Sequence, residues 1–211
     1  GLPFKLAQKL HIRRYGFHGI SHQYVYGKAR AKLGAKATEK TITCHLGNGC
    51  SIAAIQKGRV IDTSMGFTPL EGVPMGTRGG DLDAAIPLYL IEKGMEPDQV
   101  YALLNNQSGL LGVSGISSDV RKLWALYAGG NKDAKRALHW FSYRIAKYIG
   151  AYSAALGGLD CLVYTGGFGE HAAYIRRWIK GFLRACPPQR TLVIPTDEEL
   201  QIARETAPYI R

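Results

Sequence analysis

Between Thr41 and Ser64 three β-rich runs, "TITCHL", "CSIAAIQ" and "RVIDTS", are separated only by Gly47-Asn48-Gly49 and Lys57-Gly58. Connectors of two or three residues are too short for a crossover, so the runs form an antiparallel meander. That feature constrains the rest, because the pattern after it changes to alternating helices and strands. Apolar residues recur at helical spacing over Asp81–Lys93, where Pro87 kinks or shortens the helix, and over Pro97–Leu104. The longest helix covers Asn131–Leu156, with Leu138, Phe141, Ile145, Tyr148, Ile149 and Tyr152 as its apolar stripe and Gly157-Gly158 as its stop. "DCLVYTGG" then reads as a buried strand, "HAAYIRRWIKGFL" as a helix, "TLVIPT" as a strand and Asp197–Ala207 as the last helix. A meander followed by this alternation specifies an α/β domain with a mixed sheet and helices on both faces.

With 211 residues, 46% hydrophobic and 20% charged, the chain can bury the core of one domain or of one large half of a two-domain protein. No apolar run approaches the roughly 18 residues of a membrane span, and "GLPFKLAQKL" lacks a signal-peptide layout. The expected location is the cytoplasm, with no membrane partner. Cys44, Cys50, Cys161 and Cys186 form no CxxC pair and three lie in or beside apolar runs, so buried reduced thiols are expected rather than disulfides or zinc ligands. The formal charge of +11 favours an anionic partner. The 27 Lys and Arg residues are scattered, and the densest run, "RRWIKGFLR", alternates with core-type residues. This argues against nucleic acid and leaves a small phosphorylated ligand or an acidic part of a longer protein.

Three glycine-rich stretches lie at element ends. In "YTGGFGEH" a strand runs into Gly166, Gly167 and Gly169, and a helix is expected near His171. Such a turn lets backbone N–H groups approach an anion, though an ordinary strand-to-helix turn carries the same pattern. "HLGNG" suits a bare hairpin as well as a ligand loop. "VPMGTRGGD" holds Arg78 among glycines, where it can meet a phosphoryl group or carboxylate, or stay solvated.

In "YGFHGISH", His18 and His22 stand four apart. Ser21 is the expected N-cap of a helix that starts at His22, which leaves His18 outside that helix and, with Gly19, breaks the common face that a zinc pair needs. His18 is then either a phosphate donor over a helix N-terminus or a hydrogen-bonded core histidine.

Five stretches, "RRYGFHGISH", "HLGNGCSIAAIQKGRVIDTSMGFTPLEGVPMGTRGGDLD", "NNQSGLLGVSGISSDVRKL", "VYTGGFGEH" and "IPTDEELQIARET", resemble in this order the C-terminal half of the acetate kinase (acetokinase) family. The resemblance implies an actin-like ATPase (ribonuclease H-like) fold, with residues 1–211 as the C-terminal nucleotide-binding domain of a kinase that uses ATP/ADP and Mg²⁺ to interconvert acetate and acetyl phosphate. It implies catalytic roles for His18, Arg78 and Asn48. Nucleotide contacts fall to His45, Leu46, Gly47, Asn48 and Gly49, to Asp119, Val120 and Arg121, and to Gly167, Phe168, Gly169, Glu170 and His171. Glu198 corresponds to the Mg²⁺-associated glutamate, with Glu199 as a weaker substitute. The family also implies a homodimer formed through this domain, with the long Asn131–Leu156 helix as a candidate contact, and a last helix that leans on a domain absent from this sequence. Propionate and butyrate kinases share the phosphate apparatus and are alternatives, as is a non-catalytic nucleotide-binding or dimerisation module. This sequence departs from the family in having Phe168 and His171 where isoleucine and asparagine are usual, in being shorter between Leu183 and Thr191, and in having nothing that matches the family's N-terminal half. Alone it is therefore expected to be inactive.

Overall fold

The computed structural model describes residues 1–210. Helices α1 (Phe4–Lys9) and α2 (Gly19–Leu33) precede the meander of β1 (Lys40–Leu46), β2 (Cys50–Gln56) and β3 (Arg59–Thr63). Both β1–β2 and β2–β3 are antiparallel, the first in unbroken register from Lys40↔Gln56 to Leu46↔Cys50. The second turn has positive φ at both Lys57 and Gly58, the hand that suits the strand twist.

Five helices follow: α3 (Ala85–Glu92), α4 (Pro97–Asn106), α5 (Gly109–Ser114), α6 (Val120–Ala128) and α7 (Lys132–Leu156). Helix α3 starts later than its periodicity predicts. Pro87 thereby falls in the first turn, where a missing N–H breaks no bond, and Asp83 Oδ1 accepts from Ala85 N at 2.8 Å. Helix α7 matches its expected span: Asn131 caps it through Ala134 N, and Gly157 closes it with φ 68°. Its stripe faces the sheet, with Leu138, Phe141, Ile145, Ile149 and Tyr152 buried and Tyr148 half-buried. The stripe is therefore core within one chain, so a contact of α7 with a second copy would have to use its opposite, exposed face, which carries Tyr143.

α7 is the crossover that returns the chain as β4 (Cys161–Thr165), parallel to β1 from Thr41↔Cys161 to His45↔Thr165. Helix α8 (Gly166–His171) follows without a loop, Ala172 breaks the helical path at ψ 72°, and α9 (Ala173–Phe182) leads to β5 (Arg190–Val193), parallel to β4. The expected helix start near His171 is thus corrected to Gly166. Helix α10 (Glu198–Thr206), capped by Asp197 through Leu200 N, packs on α2 and buries no residue.

The five strands lie in the order β3-β2-β1-β4-β5. The three inner strands are buried almost throughout, while the edges β3 and β5 are largely exposed. One core cluster joins the sheet to α5, α6, α7 and α9, and a second, with Tyr24, Val25 and Ala29, joins α2 to Cys161 and Val163 on the opposite face. Helices therefore cover both faces, as expected. Cys44, Cys50 and Cys161 are buried thiols, and burial holds that of Cys50 up at about 12, far from reactive.

Candidate active site

The antiparallel start and the parallel return bring the C-terminal ends of β1 and β4 together, the usual ligand edge of an α/β sheet. At the end of β1, Gly47 N donates to Gly49 O at 3.0 Å and closes the turn. A Cβ on Gly49 would lie 3.5 Å from Arg78 Nη1 and 3.5 Å from both Cε1 and Nε2 of His18. Two side chains sixty residues apart in sequence thus meet over one bare backbone position.

Arg78 is aimed by a loop that the neighbouring backbone locks. Leu110 N and Leu111 N, in the first turn of α5, donate to Met75 O and Gly76 O at 2.9 Å, and Gly76 N donates to Asn48 O at 3.1 Å. The otherwise unpaired N–H groups of a helix start are in this way used to hold the loop. Gly109, at φ 60°, stands so close that a Cβ there would collide with the carbonyls of Met75 and Arg78. Among the described residues no carboxylate lies within ion-pair distance of Arg78, so its charge is free to meet an anion.

His18 itself is the N-cap of α2, in the left-handed region at φ 58°. This corrects the expected start at His22. His22 N donates to His18 O at 2.9 Å, so the helix begins at Gly19, and Ser21 Oγ is engaged elsewhere, with His45 Nδ1 and Thr196 Oγ1, both at 2.8 Å. Nor are the two imidazoles kept apart by Gly19. Both reach Ser51 Oγ, His18 through Nδ1 at 2.9 Å and His22 through Nε2 at 2.7 Å, while His22 Nδ1 pairs with Thr43 Oγ1 at 2.8 Å. The ring of His45 stacks on His18 with centroids 4.1 Å apart. Burial, then the His45 charge, lower His18 to about 4, with Glu198 opposing the fall and Arg78 adding least to it; burial lowers His22 to about 3 and also lowers His45. All three rings are neutral near pH 7.

Beyond this cluster a cavity of about 430 Å³ is lined by Asn48, Ser118, Asp119, Val120, Arg121, Gly167, Phe168, His171 and Ala172. It joins the β1 turn, the start of α6 and the start of α8, three of the stretches marked in the sequence. Asp119 caps α6 and pairs with Arg121 at 2.8 Å, a hydrogen bond that holds its carboxyl below the usual range. Leu46, Gly169 and Glu170 do not line the cavity. Leu46 is buried in the core, Gly169 O accepts from Arg176 at 2.7 Å, and the Glu170 carboxylate turns inward to accept from Gly166 N at 2.8 Å. Glu198, half-buried at the start of α10, is near enough for its field to act on His18, whereas Glu199 is exposed. One carboxylate near an unpaired cation is a donor set that fits Mg²⁺ when a ligand's phosphate oxygens and water fill the rest of its shell.

The profile of the acetokinase family matches residues 1–186. The chain belongs to the acetokinase family. The acetate kinase of Pseudothermotoga lettingae is 48% identical over 229 aligned residues, which take in 97% of this chain and 56% of that protein. Among solved structures, the acetate kinase of Porphyromonas gingivalis superposes with a TM-score of 0.92 at 40% identity, covering 100% of this chain and 59% of that one. A propionate kinase from Francisella tularensis gives 0.92 at 41%, covering 97% and 58%. The fold is that of the actin-like ATPases, and the chain spans somewhat more than half the length of the acetokinases it matches. The 229 aligned residues outnumber the 211 present here, so the Pseudothermotoga protein carries residues that this acetokinase chain lacks.

Sequence reasoning missed Thr43 and Ser51, which hold the histidines, and Ser118, which lines the cavity, and it read Ser21 only as a helix cap. The available signal was polarity inside inner strands: Thr43 and Ser51 are wholly buried, and a buried hydroxyl in such a strand has to find a partner.

Proposed function

We propose that this domain binds ATP with Mg²⁺ and provides the phosphoryl-transfer side of an acetate kinase, converting ATP and acetate into ADP and acetyl phosphate. The observation that carries the reading is the meeting of His18 and Arg78 at Gly49, next to Asn48, which lines a cavity shared with Asp119 and Arg121. An acetate oxygen forms the new bond to the γ-phosphorus as the bond to the β,γ-bridging oxygen breaks, and that electron pair leaves on ADP. Charge on the transferring group is met by the unpaired Arg78 guanidinium and by a His18 N–H, both fixed beforehand. Asn48, between this cluster and the cavity, faces the same group. Mg²⁺, held on the protein side by Glu198, supplies screening of the β- and γ-phosphate oxygens.

Acetate is the preferred acid in this reading, with propionate as the competitor, since a propionate kinase matches this domain as well as an acetate kinase does. The acid pocket, in this reading, draws on the part of the relatives that this chain does not span. A cytoplasmic homodimer fits best, with α3 as the contact: none of its residues is buried, and Leu88 and Tyr89 are 69% and 57% exposed.

The test is nucleotide binding by the 211 residues and turnover in a chimera in which they replace the matched stretch of the Pseudothermotoga acetate kinase. Trp124 stacks on Tyr174 at 4.0 Å, and the Tyr174 hydroxyl donates to Val120 O beside the cavity, so its fluorescence reports binding. Saturable quenching by Mg-ADP, no turnover by the chain alone, and acetyl phosphate formation by the chimera are expected. No quenching at millimolar nucleotide, or a chimera inactive on every short acid, overturns the reading. Sedimentation of the Leu88→Glu chain against the unaltered one tests the α3 contact.

A further inference from the structure

We propose that Thr43, His22 and Ser51 are positioning residues that form a one-way hydrogen-bond relay, fixing His18 as the tautomer with its proton on Nε2, at the Gly49 turn.

The direction follows from counting protons. Each hydroxyl carries one, and each neutral imidazole carries one. The connected atoms are Thr43 Oγ1, His22 Nδ1, His22 Nε2, Ser51 Oγ and His18 Nδ1, in that order, with contacts of 2.8, 2.7 and 2.9 Å between residues. If Thr43 donates to His22 Nδ1, then His22 Nε2–H donates to Ser51, Ser51 donates to His18 Nδ1, and the His18 proton sits on Nε2. Every proton between the residues is then used, and the one left over, on His18 Nε2, sits on a half-buried side chain. In the reverse direction His22 donates to Thr43, whose own hydroxyl proton needs an acceptor. Among the described residues Thr43 Oγ1 has no second partner, and the residue is wholly buried. The reverse order therefore strands a donor on a wholly buried residue, which disfavours it.

Neutral rings are a condition of the relay, and the groups facing His18 enforce it. Arg78 and the stacked His45 oppose an imidazolium, only Glu198 favours one, and burial outweighs it. Nε2 of His18 has no hydrogen-bond partner among the described residues and lies beside the Gly49 backbone that Arg78 also reaches. The relay thus presents a donor where the opposite tautomer would present a lone pair. That a donor there serves phosphoryl transfer rests on the function proposed above; the tautomer itself does not.

The experiment is long-range ¹H–¹⁵N correlation spectroscopy of the six histidines in the uniformly labelled chain at pH 7, without nucleotide or acetate. His18 is expected to show pyridine-type Nδ1 and pyrrole-type Nε2 resonances, and His22 the same pattern. Thr43→Val keeps the shape and removes the first donor; it should move His22 and then His18 toward averaged nitrogen shifts, and Thr43→Ser should restore both. Ser51→Ala should average His18 and, because it also removes the acceptor of His22 Nε2–H, shift His22 too. A pyrrole-type Nδ1 on His18 in the unaltered chain overturns the relay, as do His18 shifts that ignore both substitutions. If either variant fails to fold, the unaltered spectrum still decides the direction. Because no ligand is present, loss of the kinase reading would leave this result standing, and the reverse holds equally.

Discussion

The two ends of the site are built on different principles. Around His18, Arg78 and Gly49, position is imposed by buried hydrogen bonds and by backbone packed against backbone, and the functional side chains are half-buried. Around Asp119, Arg121 and Gly167 the cavity is open, and the main polar contact is an ion pair with Arg121 84% exposed. Phosphoryl transfer needs fixed donors at the instant charge shifts, whereas holding a nucleoside needs only a complementary surface. On the function proposed above, the same fold concentrates rigidity at the end assigned to chemistry and leaves adaptability at the end assigned to binding.

The sharpest way to break this comparison is to remove the fixed cation. Arg78→Ala in the chimera should lower kcat by roughly 10²- to 10³-fold, the usual loss for a preorganised donor to a developing anion, while Mg-ADP affinity changes only a few-fold. Steady-state kinetics with fluorescence titration check both parts. An equal loss in kcat and affinity would mean that Arg78 merely binds. Next comes rigidity itself. Gly109→Ala forces a side chain into positive φ and against two carbonyls that hold the Arg78 loop, and should cost about 2–4 kcal/mol. Gly167→Ala, at the open end, meets nothing within 4 Å and should leave Tm unchanged. Thermal denaturation of the pair decides whether the ends differ as described.

How far the sequence foretold this arrangement follows the same division. The meander, α7 and the α/β class are legible because they rest on local periodicity and turn chemistry, and Asn131 and Gly157 bound α7 as expected. The start of α2 was not, because Ser21 has the chemistry of a cap but is held by His45 and Thr196, partners remote in sequence. Tertiary competition of this kind leaves no trace in a local window. Glu170 is a similar case: a carboxylate in a glycine loop reads as ligand-facing, yet Gly166 N and Thr196 N draw it inward. His18 and Arg78 were recognisable as candidates, but their meeting at Gly49 depends on α5 clamping the intervening loop. Thr43 and Ser51 were readable only as buried hydroxyls lacking a named partner.

Acidification sharpens the comparison further, because the histidines belong to the rigid end. His22 has a folded value of about 3 against 6.5 for a free imidazole, so the unfolded chain binds the extra proton first. Its contribution is complete above pH 6.5 and declines as pH falls toward 3. At pH 5 the loss from this one residue is about 2 kcal/mol. His22→Gln should flatten that limb of the stability–pH curve measured by urea unfolding. Asp119 also has a lowered value, so its contribution too is lost on acidification, but at an exposed pair that solvent screens.

The smallest effect is expected at the start of α6, where the family resemblance implies a nucleotide contact. Arg121 lies on the solvent side of the cavity with its guanidinium tied to Asp119, and it takes no part in the core. Arg121→Ala should leave Tm and kcat unchanged and weaken Mg-ADP binding only several-fold, seen as a rightward shift of the fluorescence titration. A large fall in kcat from this substitution would mean that the open end also acts on the transferring group. The division between a rigid chemical end and an adaptable binding end would then be wrong at its weakest point, since nothing in the packing around Arg121 could transmit strain to His18.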